Sequence, residues 1–532
     1  MHNAQCTMHN FEISSKLLIM KKTVFYSLIF IVVALQAMVT SCRQGWTSGL
    51  MEEKPFGQYT DSLDTLRMHQ HLRSLIERDS SKLAVDQMVK HRYDSLGTAI
   101  WFSENGIDSS AYMVVQHLRS SLSLDGLNPD AFLIDEIEED LGIVEKQSFD
   151  SLGVDVNEVL MRLDYNLSKS WMRYVKGQRY GFVRPDKVFN HLYYREDRGY
   201  YAHLFDYEVE MPKYDELLKH LEDADRHSYL QQSVPVNNTV YKALQNKLKT
   251  VTDTTERRKC KVSMERCRWQ LRHPKSGERH VLVNLPSQQL WAMGNKNPLS
   301  MKICCGAWST KTPLLASEIG YMQVNPEWSL PPKIVESDFK RHVGDSAWFA
   351  RHKYFVVSRK TGDTLNIAHI GHDGLRNGGL RFVQRGGSGN SLGRIVFRFA
   401  SSFSIYLHDT NTPWVFERDR RTVSHGCIRV EKPFELAHYF IPNADAWTLD
   451  QIRISMDIPP VTERGQQWLR KNGHRPRPFR LISYYPIKPK VPVYIVYYTA
   501  YPNPETGVVE MWPDFYGYDK PIAAAMGRFY VD

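Results

Sequence analysis

No tract of low complexity and no repeat of solenoid period runs through this chain of 532 residues, which excludes a fibrous array or a repeat superhelix. No dense block of Lys and Arg stands out either. The net charge of +9 is scattered along the sequence, as on a solvated surface that suits an anionic environment, so no nucleic-acid partner is expected. Metal-ligand spacing is also missing. His372 and Asp373 are adjacent but lack further ligands at zinc spacing, and Cys304 beside Cys305 cannot begin a zinc quartet. Neither a metal nor an organic cofactor is needed. Cysteine is scarce. Of seven, Cys6 and Cys42 fall near the start, Cys304 and Cys305 read as strand packing, and Cys260 and Cys267 can pair in an oxidising compartment or stay apart. A 42% hydrophobic and 12% aromatic content over this length predicts two or three domains with real cores.

The first residues read as an export signal. Lys21-Lys22 precede an apolar run over 24–39, and small residues follow up to Cys42. The run is 16 residues long, short of the ~20 needed to span a bilayer. Met20, directly before the basic pair, is the expected translation start, so residues 1–19 read as an extension ahead of the signal that ends at 41. Val39-Thr40-Ser41-Cys42 resembles a bacterial lipobox. That resemblance implies a lipid on Cys42 and a place in the periplasm or cell envelope, on a membrane. A plain cleaved signal and an uncleaved anchor remain alternatives. Residues 42–60 read as a tether.

From 61 to 250 the pattern is helical. Leu160, Leu163, Leu167, Trp171, Tyr174 and Val175 recur at steps of three and four over 157–177, one buried stripe with Gly177 suited to the stop. Asp108 suits a helix cap, and 125–129 (D-G-L-N-P) suits a turn. Near 278 the period changes to two, and short strands alternate with Gly, Asn and Pro turns. The expected fold is α+β. A helical domain precedes a β-rich domain over 251–455, and a β-rich extension over 456–532 completes its sheet. The stretch 328–393 is irregular, rich in Gly, Lys, Arg and His.

The chemistry concentrates between His408 and Arg429. An alternating run over 403–408 reads as a strand ending at His408, which puts His408 on the face of Tyr406. Cys427 stands 19 residues later, directly after Gly426. A thiolate attacks carbonyls well once a base takes its proton, and His408 is the candidate base, with His425 the rival. Gly426 permits a sharp turn, so the amides of Gly426 and Cys427 can face one oxyanion.

The string S-H-G-C-I-R at 424–429, with H-D-T at 408–410, resembles the signature of the L,D-transpeptidases, the YkuD-type enzymes that cross-link peptidoglycan. Trp101, the 125–129 turn and Leu163-Asp164 resemble the scaffold domain of the larger, YcbB-like members. Tyr241-Lys242-Ala243-Leu244-Gln245 resembles the opening of the wall-binding repeat that many such proteins carry, but the chain soon enters the catalytic lead-in, so that module reads as absent or vestigial. The resemblance implies that Cys427 takes an acyl group from a tetrapeptide stem as a thioester, and that an amine of a second stem resolves it into a 3→3 cross-link. His408 is then the base, oriented by Asp409 or a backbone carbonyl. Ser424 and His425 shape the loop, Tyr406 and Trp414 line the pocket, and Arg429 holds a substrate carboxylate or pins the loop. The 328–393 stretch forms a cap. Two other classes stay open: hydrolysis of the same stems by an L,D-carboxypeptidase or cysteine peptidase, and a non-catalytic wall-binding lipoprotein. The intact Cys and His speak against the second.

Overall fold

The computed structural model describes residues 56–531, apart from 197–198, 224–225, 233–236, 270, 276 and 295–297. The signal, Cys42 and most of the tether lie outside the described residues. No helix among the described residues is long and apolar enough to cross a membrane. The chain divides into two compact units, one of residues up to 117 with 134–169, the other of 118–133 with 170–532.

The first unit is helical. Asp64 caps the helix Thr65–Arg78 by accepting from the amides of Leu66 and Arg67. Asp108 accepts from the Ser110 amide at 2.7 Å, the cap expected from sequence. The helix Val156–Tyr180 contributes its first half here, and its Asp164 is fully buried. A buried carboxylate must be hydrogen-bonded to be tolerated. Asp164 accepts from the amides of Ile100 at 2.9 Å and Trp101 at 2.7 Å, and from the Tyr93 hydroxyl. The Trp101 indole donates to Ser168 at 2.8 Å. Trp101 and Asp164 are therefore partners in one buried network.

That helix does not stop at Gly177. It runs to Tyr180, and Gly181, at φ +76°, ends it. Gly177 is small for another reason: a Cβ there would lie 2.0 Å from the Phe182 ring.

The second unit has a buried polar hub. Arg268 ends the helix Thr254–Arg268 and is fully buried. Its guanidinium donates to the Asp125 carbonyl at 3.0 Å, Tyr241 at 2.5 Å, Gln178 at 3.2 Å and Glu265 at 3.3 Å. Glu265 in turn accepts from the amides of Phe182 and Val183 and from the Trp269 indole. Gln245 and Gln178 donate to the Asp125 carboxylate. The 125–129 turn, Tyr241 and Gln245 thus meet at one buried cation.

The main sheet runs Ile395–Phe399, Leu407–His408, Ile428–Val430, Leu299–Gly306, Gln289–Met293, His280–Asn284, Tyr484–Val496, Leu314–Val324, and Phe205–Asp206. Leu314–Val324 also pairs with Ile395–Phe399, so the sheet closes on itself and those strands lose their open edges. The tail strand Tyr484–Val496 lies parallel to His280–Asn284 and antiparallel to Leu314–Val324, inside the sheet. The helix Pro433–Phe440 follows the Cys427 segment.

The stretch expected to be irregular is ordered. Trp328–Ser329, Leu380–Gln384, Tyr354–Ser358 and Thr364–Leu365 form a separate four-stranded sheet. Helices Pro332–Phe339 and Ser346–Arg351 accompany it, and Val335, Phe339, Phe349, Val356 and Phe382 make its own core. Strands of two to five residues carry too little alternation to stand out among glycines and charges.

Arg268→Met should strand the Glu265 carboxylate in the interior. Breaking a buried pair from one side costs about 3–5 kcal/mol, so urea unfolding at pH 8 should show a loss of that order. A loss below about 1 kcal/mol, the scale of an exposed pair, would remove the hub's stabilising role.

Candidate active site

Three adjacent strands build the site. Val396 pairs with His408 and Phe397 with Leu407 in antiparallel register, while Leu407 pairs with Ile428 and His408 with Arg429 in parallel register. The ladder proper is only two residues long at Leu407–His408, shorter than the strand expected over 403–408. Its hydrogen bonding still reaches back one residue, because the Ile428 amide donates to the Tyr406 carbonyl at 3.1 Å. Side chains alternate along a strand. The register therefore lays two rows across one face, Val396–His408–Arg429 and Arg398–Tyr406–Cys427.

Side-chain contacts bear this out. The Arg398 guanidinium lies 4.2 Å from the Tyr406 ring centroid, and the Tyr406 and His408 rings meet edge to face at 5.7 Å. Leu392, Val396 and Tyr406 form a buried cluster against which Cys427 packs. Cys427 and His408 are diagonal neighbours, a relation that separates backbone positions by roughly 7–8 Å and leaves room for a substrate carbonyl.

The loop before Cys427 is held from several sides. Gly426 has φ +113°, a region that side chains rarely allow. Its carbonyl accepts from Thr312 Oγ1 at 2.8 Å, and the same Oγ1 accepts from the Gly306 amide at 2.9 Å. Ser424 Oγ accepts from the Gly426 amide at 3.1 Å and donates to the Cys427 carbonyl at 2.5 Å. Thr310 Oγ1 donates to the Ser424 carbonyl at 2.8 Å. From the tail, the Tyr516 hydroxyl donates to the Gly306 carbonyl at 2.6 Å and accepts from the Thr312 amide at 3.2 Å. Thr310, Thr312 and Tyr516 carry no motif that marks this task in sequence. They are found only because the strand Leu299–Gly306 runs beside the loop.

Several expected placements change. The Gly426 amide is committed to Ser424, so it is not free to face an oxyanion. Among the described residues the Cys427 amide has no intramolecular acceptor. Asp409 does not orient His408 with its carboxylate, which accepts from the amides of Arg394 and Thr410, both at 2.7 Å. The carbonyls of Asp409 and Leu392 face the imidazole and favour its protonation, but buried Nδ1 meets no partner at hydrogen-bonding geometry. His425 is exposed. Trp414 is 57% exposed, with the Arg418 guanidinium 4.6 Å from its ring. Arg429 is half-buried, touches Thr412 Oγ1 at 3.4 Å, and has no carboxylate within ion-pair distance among the described residues. Cys260 and Cys267 are separate buried thiols.

Burial is the largest influence on both reacting groups. It pushes the His408 imidazole down to about 3, with the Arg429 charge acting the same way. It raises the Cys427 thiol, while the Arg398 and Arg429 charges oppose the rise. At neutral pH the site therefore holds a neutral thiol and a neutral imidazole able to accept a proton.

A family model for the L,D-transpeptidase catalytic domain, YkuD, matches residues 278–448, and one for a scaffold domain matches 89–248. A curated protein of Haemophilus influenzae, provisionally named as an L,D-transpeptidase, is 25% identical over 358 residues, covering 66% of this chain and 68% of the relative.

Alkylation by iodoacetamide tests the charge state. A neutral pair predicts a rate that climbs only above pH 8, following a raised thiol. A plateau of reactivity between about pH 5 and 7 would mean a preformed thiolate–imidazolium pair instead.

Proposed function

We propose that this chain, which carries a YkuD-type L,D-transpeptidase catalytic domain together with a scaffold domain, joins peptidoglycan stem peptides by a thioester route that ends in a 3→3 cross-link. The observation that supports the route is that the strand register sets Cys427 and buried His408 on one face as diagonal neighbours. A donor carbonyl set above them, at the L-centred third residue of a tetrapeptide stem, meets the sulfur. As the S–C bond forms, the thiol proton passes to His408 and the carbonyl oxygen becomes an oxyanion facing the unengaged Cys427 amide. Collapse breaks the C–N bond. The imidazolium returns its proton to the leaving amine of the terminal D-residue, and the acyl group stays on sulfur. An amine of a second stem attacks the thioester, loses a proton to His408, and displaces the thiol. The neutral resting pair fits this order, because charge separates only when an acyl group is there to receive the sulfur.

Intact-mass spectrometry with a tetrapeptide muropeptide tests the route. The wild type should gain the acyl mass less the terminal residue, and Cys427→Ala should gain nothing. His408→Ala should slow acylation by about 10²- to 10⁴-fold, the usual contribution of a positioned base, whereas His425→Ala should cost far less. An adduct on Cys427→Ala at the wild-type rate would reject the nucleophile. Tripeptide release without cross-linked product, under excess acceptor amine, would convert the reading to hydrolysis.

The reading extends to location. Cys42, once lipidated, would tether the enzyme in the cell envelope, where the stems are. A fatty-acid label should mark wild-type protein in cells and not Cys42→Ser. Unlabelled wild-type protein would reject the anchor.

A further inference from the structure

The face that carries Cys427 and His408 is bordered by two arginines with no acid to match them. Three half-buried or buried arginines of this domain are ion-paired: Arg266 with Asp519 at 2.8 Å, Arg394 with Asp457 at 2.5 Å, Arg453 with Asp450 at 3.3 Å. Arg398 is different. Its Nε donates to Gln323 at 2.9 Å and its plane lies over Tyr406. Those two contacts fix the side chain yet leave both terminal nitrogens without a protein acceptor among the described residues. Asp409, the acid nearest in sequence to this face, is turned onto backbone amides. A guanidinium held rigid with its fork free suits a planar carboxylate, which it binds through two parallel hydrogen bonds.

We infer that Arg398 binds the free terminal carboxylate of the acyl donor, and so selects stems whose leaving residue ends in an acid. The assignment rests on the acyl-donor reading above. Arg398 stands in the same cross-strand row as the candidate nucleophile, Arg398–Tyr406–Cys427, with its guanidinium over the Tyr406 ring that lies between them. Strands are about 4.8 Å apart, which puts the two backbones roughly 10 Å apart, with Tyr406 between them. In a donor whose attacked carbonyl sits at Cys427, the terminal carboxylate lies one residue further, about 3.8 Å of chain. Arg429 stands in the other row, beside His408, and is bound to Thr412. It acts on the imidazole side, whereas Arg398 faces the leaving side.

The test compares two donors that differ only at the terminus, a free acid and its carboxamide, on the wild type, Arg398→Gln and Arg398→Lys. The wild type should acylate from the acid at least about tenfold faster in kcat/KM, most of it in KM, as for a charge-assisted pair. In Arg398→Gln the acid-to-amide preference should fall toward one, and Arg398→Lys should restore part of it. Neutral iodoacetamide, used in parallel, reports whether the thiol itself has changed. A wild type that uses both donors equally would overturn the inference, whether or not the variants fold. So would an Arg398→Gln that slows both donors by one factor, because a purely electrostatic or packing role does that. A wild type that forms no acyl-enzyme with either donor would instead reject the transpeptidase reading, and this inference with it.

Discussion

The site depends on the parallel pairing of Leu407–His408 with Ile428–Val430. Because side chains alternate, a slip of one residue would send either His408 or Cys427 to the opposite face. A ladder of two residues is too short to hold that register alone. It is held from both flanks, by Ile395–Phe399 on one side and Leu299–Gly306 on the other, in a sheet that closes on itself. Behind the nucleophile, Thr312, Ser424 and Tyr516 tie the Gly426 loop to the end of Leu299–Gly306.

The same closure decides the chemistry. Packing against Tyr406, Val396 and Leu392 shields one side of the half-buried Cys427 from water, and His408 is 4% exposed. Desolvation penalises charge on both groups, so it favours the neutral pair over the ion pair. Arg429 acts on the two in opposite senses, favouring thiolate and disfavouring imidazolium. In the proposed route, a proton transfer that is unfavourable at rest proceeds as the sulfur bonds to carbon, since the developing charge moves onto an oxygen with an amide to meet it.

Legibility followed distance along the chain. Cys427 and Gly426 stood out because the nucleophile and its turn are adjacent residues, and His408 because it closes a short apolar alternation. The change of period near 278 was legible because the first strands after it, His280–Asn284 and Gln289–Met293, are five residues long. Of the two orienting groups the sequence left open, the Asp409 carboxylate is turned onto the Arg394 and Thr410 amides, and the backbone carbonyls of Asp409 and Leu392 face His408, because adjacency in sequence does not say which way a carboxylate turns. Gly177 was misjudged because a glycine at a helix end and a glycine under an aromatic ring look alike in one dimension. The 328–393 stretch reads as irregular in sequence because strands this short do not outlast local composition.

What the sequence by itself determined was the kind of chemistry: a thiol after a glycine turn, a histidine 19 residues earlier, and helical and strand periods on either side of residue 278. These depend on local steric and hydrophobic patterns, which a chain carries before it folds. Only the tertiary structure decided the burial of the pair, the commitment of the Gly426 amide, the grip of Thr312 and Tyr516, and the placement of Arg398 over the Tyr406 ring. Each of those arises where strands distant in sequence become neighbours. Burial and hydrogen-bond partnership are properties of that assembly, and no local window contains them.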